Sequence, residues 1–122
     1  MNSVVQDVAS EAFSTKSRLA GERLTVELVG CLDMETAPQL RRFLGLLTPI
    51  AEGAMVKEFE FHTQDLYLMS SSAISLLAAW IKSLKELAAG CRVKFRTNPN
   101  LSWQKRSLDP IRRLAVEVVS VE

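Results

Sequence analysis

Two hydrophobic periods take turns along this chain, and that alternation restricts its fold more than any other feature. Arg23-Leu24-Thr25-Val26-Glu27-Leu28-Val29 alternates polar and apolar residues, with β-branched types among them, as a half-buried strand does. Leu40, Phe43, Leu44 and Leu47 then recur at helical spacing and end near Pro49. Thr36-Ala37-Pro38-Gln39 ahead of them fits a capping box: the Thr hydroxyl accepts a backbone N–H and the Gln side chain reaches back. Period two returns in Glu58-Phe59-Glu60-Phe61-His62, a strand with one polar face. It returns again in Arg92-Val93-Lys94-Phe95-Arg96, closed by Asn98-Pro99-Asn100.

Between those two strands Ile74, Leu77, Ala78, Ile81, Leu84 and Ala88 mark the buried face of a helix over 73–89, with Gly90 as its stop. Ser102 to Leu108 reads as another helix, which Asp109-Pro110 caps and restarts, and Val116 to Val121 reads as an edge strand. A period-two segment does not settle as a helix, nor a period-3.6 segment as a strand. The alternation therefore excludes all-α and all-β folds and predicts an α/β sandwich: a mixed sheet with helices packed on it.

A length of 122 residues predicts a single domain over 1–122, large enough for one core without staples. The longest apolar run, Leu76 to Ile81, is far short of the roughly 20 residues of a membrane span, and the opening MNSVVQDVASEAFST has no secretory pattern. Two cysteines, Cys31 and Cys91, make neither a disulfide framework nor a metal site, and are expected to pack as small hydrophobes. These features predict a soluble, cytoplasmic domain. Net charge is +1, but residues 1–65 hold ten acids and six bases, whereas 66–122 hold four acids and nine bases. With no linker between the halves, this asymmetry predicts two faces of one domain.

Gly30-Cys31-Leu32-Asp33-Met34-Glu35-Thr36-Ala37 resembles the G-x-L-D-x-x-T-A passage of STAS domains, the family of bacterial anti-sigma-factor antagonists. Leu66 to Ala73 stands where that family has a strand exit, Asp-Ser-Ser-Gly and a helix, and Cys91 to Phe95 with Asn98-Pro99 resembles its next strand and turn. The likeness spans about 22–121. It implies a protein-interaction switch in partner-switching signalling, whose partners are a serine kinase that also acts as an anti-sigma factor and a phosphatase. The family's phosphorylated serine maps onto Ser70, with Ser71 as the second candidate. Two positions depart from the pattern: Met69 stands for the Asp and Ser72 for the Gly. A missing acid bears on whether a kinase can position the hydroxyl. A homodimer remains open.

The residues permit other readings. A serine entering a helix can simply cap it, yet three hydroxyls in a row exceed what one cap needs, and a helix start also favours a phosphate. Ala73, Leu76, Trp80 and Leu87 form a second apolar stripe on the 73–89 helix. With Met69 and Ser72, the residues Ala73, Leu76 and Trp80 are the predicted partner-contact surface. The bases Arg92, Lys94, Arg96, Lys105, Arg106, Arg112 and Arg113 carry no nucleic-acid motif, and three of them alternate on one strand as a solvated face would. His62 is the sole histidine, no G-x-S-x-G surrounds a serine, and no glycine loop cradles phosphate, so no enzyme and no cofactor are predicted. Two alternatives stand beside the switch: a STAS-like scaffold that binds without phosphorylation, and a small-ligand or nucleotide-binding module.

Overall fold

The computed structural model describes residues 5–88 and 90–122; Ala89, at the end of the helix expected over 73–89, and the first four residues of the opening segment lie outside them. The elements run β1 (Phe13–Ala20), β2 (Arg23–Leu32), α1 (Ala37–Glu52), β3 (Glu58–His62), β4 (Leu66–Met69), α2 (Ser71–Leu87), β5 (Arg92–Arg96), α3 (Trp103–Leu114) and β6 (Val119–Val121). The strands make one mixed sheet in the order β1-β2-β3-β5-β6, antiparallel at β1–β2 and parallel elsewhere. β4 pairs with the far end of β2, at Gly30 to Leu32. The α/β sandwich with a mixed sheet is therefore what forms.

One face of the sheet is apolar and the other charged, because register aligns like with like. Leu24 lies beside Phe59, which lies beside Val93; Val26, Phe61 and Phe95 repeat the row. Leu40, Phe43 and Leu47 of α1 and Leu77, Ile81 and Leu84 of α2 are buried with them in one cluster. The opposite face sets Thr25 beside Glu60 and Lys94, and Glu27 beside His62 and Arg96. There Glu60 Oε2 accepts from His62 Nε2 at 2.7 Å and from Arg96 Nε at 2.9 Å. Burial pushes the Glu60 carboxyl up, but these two donors outweigh it and hold it below its ordinary value.

Several local expectations need correction. Thr36 makes no capping box: its hydroxyl donates to the Cys31 carbonyl and accepts from Asp33 N–H, while the Asp33 carboxylate accepts the N–H groups of Glu35 and Thr36. Gln39 instead accepts from the Ser10 hydroxyl. α1 continues past Pro49 to Glu52, held by buried Ala51. α3 is one helix through Asp109-Pro110, where the Asp109 carboxylate accepts from Arg112 instead of capping a restart. Only 119–121 of the expected tail strand pairs with β5. α2 is rotated relative to the predicted face: Ala73, Leu77, Trp80, Ile81 and Leu84 are buried, Ile74 and Ala78 half-buried, and Leu87 exposed.

Candidate functional site

β4 is four residues long, and its placement builds the site. Met69 aligns with Leu32 at the end of β2, and Ser70 N–H donates to the Leu32 carbonyl at 2.7 Å. This anchors the start of α2 beside the Asp33–Thr36 turn that starts α1. The hydrogen bonds of that turn fix the second helix start, and backbone N–H groups led by that of Thr36 hold the Asp33 carboxyl below its usual range.

Ser70 has extended backbone (φ −69, ψ 163) and is the N-cap of α2, its Oγ accepting from Ala73 N–H at 3.2 Å. It is half-buried, whereas Ser71 and Ser72 are exposed. No acidic residue occupies the first turn of α2, so none of that turn's own side chains competes with an anion for its leading N–H groups.

Of the predicted contact residues, the structure leaves two accessible. Ser72 is exposed and Leu76 half-buried. Met69 is turned inward, with Ala73 fully buried behind it. Trp80 is 7% exposed: its ring meets Phe59 and Phe61 edge-on at 5.4 and 5.8 Å, and its indole N–H donates to Thr48 Oγ1. Burial thus removes Met69, Ala73 and Trp80 from the accessible surface. The wide apolar arc of α2 is explained by contacts on two sides, sheet and α1.

The accessible surface includes residues that the sequence pattern did not single out. Met34, 78% exposed in the turn before α1, and Arg41 of α1 line an open groove with Ser72 and Leu76 of α2. Leu68 of β4, also exposed, lies beside Cys31 of β2. Their spacing in sequence carries no signal; only the β2–β4 pairing assembles them. An exposed Met in an otherwise polar turn was the one available hint.

Other predicted groups lie elsewhere. His62 alternates with Phe61, so it stands on the sheet face opposite α2, engaged by Glu60 and away from Ser70. Lys94 and Arg96 pair with Glu122 and Glu60, and Arg112 and Arg113 with Asp109, so much of the basic half is locally balanced. Cys91 is buried and Cys31 half-buried, both as free thiols; burial pushes the Cys91 thiol up.

A six-stranded mixed sheet with three helices packed on it is the STAS-like fold that anti-sigma factor antagonists have. No protein-family model and no curated protein matches the chain, so its likeness to known proteins is one of shape. It is similar to an anti-sigma factor antagonist from Mycobacterium paratuberculosis, at 16% identity over 87% of this chain and 85% of the other, with a TM-score of 0.68. It is similar to the unphosphorylated anti-sigma factor antagonist SpoIIAA at 22% identity (78% and 80% covered, TM-score 0.56). The phosphorylated Bacillus cell fate determinant SpoIIAA aligns at 18% identity over 91% of both chains, with a TM-score of 0.58.

Proposed function

We propose that this chain is a non-enzymatic protein-interaction switch of the anti-sigma-factor-antagonist type, which docks a protein partner at the start of α2 and is controlled there by phosphorylation of Ser70. The observation that carries the reading is Ser70 itself. It is a half-buried serine at the cap of a helix whose first turn lacks acids, beside exposed Ser71 and Ser72 and near exposed Met34 and Leu68. Phosphate there adds about −1.5 to −2 charge, which the helix start tolerates but an apolar contact does not. A fold neighbour, SpoIIAA, is known in both unphosphorylated and phosphorylated forms. His62 and Ser70 lie on different faces, which favours binding over hydrolysis.

The inward Met69 favours a second reading, in which the same surface binds constitutively. Where the family pattern places an acid beside the serine, this chain buries a side chain in the core. Phosphate mapping of the protein isolated from its own cells separates the two. Modification of Ser70, and loss from the modified form of a partner that the unmodified form retains, is the expected result. A bound partner with Ser70 never modified refutes the switch and leaves the constitutive reading.

A further inference from the structure

The groove beside Ser70 contains a cation that nothing nearby neutralises. It has a volume of about 470 Å³ and runs between the first turns of α1 and α2, with Met34, Ala37, Pro38 and Arg41 on one side and Ser72 and Leu76 on the other. Arg41 is the one charged side chain among its lining residues. Among the described residues no carboxylate lies within ion-pair distance of it; Arg23, Arg96, Arg112 and Arg113 are paired, and Arg18, Arg42, Arg92 and Arg106 share the unpaired state of Arg41 but do not line this groove. Neither α1 nor α2 has an acid in its first turn, and the nearby Asp33 carboxylate is occupied by the backbone of its own turn. Apolar surface from Met34, Ala37 and Leu76 adjoins this free guanidinium, and Met and Arg are residue types that protein interfaces enrich.

Resting on the docking reading above, we infer that the groove receives an acidic, amphipathic polypeptide segment of the partner, which sets an apolar side chain between Met34 and Leu76 and a carboxylate on Arg41. A planar guanidinium pairs a carboxylate through two parallel N–H donors, so it fixes register as well as charge. The Ser72 hydroxyl supplies a further polar contact. A polyphosphate or nucleic acid would call for several convergent cations, and this groove offers one.

The test is selection of random-sequence displayed peptides on the folded, full-length chain, followed by calorimetry and amide-shift mapping with the synthetic peptides that emerge. Selected peptides are expected to place Asp or Glu close to Leu, Met or Phe, and to shift the resonances of Met34, Ser72 and Leu76. Their affinity should fall at least tenfold in Arg41→Ala. Selection on Arg41→Glu should turn toward Lys and Arg. Arg41 is exposed, so both variants are expected to fold, and a thermal melt checks this. Peptides that shift the same resonances but lack acids and ignore Arg41→Glu overturn the inference and leave docking at this surface intact. Peptides that bind only on another face overturn the inference and count against the docking reading as well.

Discussion

Trp80→Ala should cost the fold about 4 kcal/mol, because Trp80 is a keystone between the two helices and the sheet. Truncating a buried aromatic residue to Ala costs roughly 3–5 kcal/mol. Trp80 belongs no lower than the middle of that range: it is 7% exposed, meets two Phe rings edge-on and gives its indole N–H to Thr48 at 3.1 Å. A domain of this size has a total stability on the order of 10 kcal/mol, so the variant should fold but melt well below wild type. Trp80→Phe keeps an aromatic body against Phe59 and Phe61 and loses the N–H, so a loss of about 1–2 kcal/mol is expected. Urea unfolding followed by far-ultraviolet circular dichroism measures both, and Trp103 remains as an independent fluorescent reporter. A loss below about 1 kcal/mol for Trp80→Ala, with an unchanged urea slope, would refute the packing described for α2.

Gly30 sits at φ 105 on a β2 bulge where a Cβ would run into the Ala12 carbonyl, so Gly30→Ala should cost at least about 2 kcal/mol; a neutral melt would contradict that close approach. Gln104, fully buried, donates to the Thr63 and Leu66 carbonyls and accepts from Asn98 N–H. Gln104→Leu should therefore lose about 2–4 kcal/mol in the same urea assay through the polar groups it orphans. Glu60, held below its ordinary value, binds fewer protons folded than unfolded. Its contribution is full above that value near 4.5 and drains as pH falls through the folded-state titration. The urea midpoint of wild type should thus fall more steeply below pH 4.5 than that of Glu60→Gln; parallel curves would remove Glu60 from the account.

The sheet core and all three helices were legible because their periods are unambiguous: Phe59, Phe61, Val93 and Phe95 alternate cleanly, and Leu40 to Leu47 hold helical spacing. β1 was not legible. As an edge strand it buries little beyond Phe13 and Thr15, so Ser14 to Ala20 shows scant apolar alternation. β4 was read only through the family resemblance, since four residues give too short a window for periodicity. The side on which Trp80 lies depended on the rotation of α2, which α1 sets through Thr48, a contact 32 residues away in sequence. At the site, Ser70 was found through the family resemblance, which maps its phosphorylated serine there. Met34 and Arg41 were not, because the β2–β4 pairing that brings α1 against α2 is a long-range fact with no local signature. Asp33 likewise took over the turn that Thr36 and Gln39 were expected to cap, since its carboxylate reaches two N–H groups at once.

The central claim is that a charge at Ser70 decides whether the α2 surface binds. Calorimetric titration of the native partner into wild type, Ser70→Ala and Ser70→Asp tests it most directly. A carboxylate at the cap is tolerated by the helix, so Ser70→Asp should fold as wild type does, and Ser70→Ala should lose only about 1 kcal/mol of stability. The account predicts closely similar affinities for wild type and Ser70→Ala, and at least a tenfold weaker one for Ser70→Asp, because an unpaired charge is costly to desolvate in a contact. Equal affinity for all three folded proteins would contradict it.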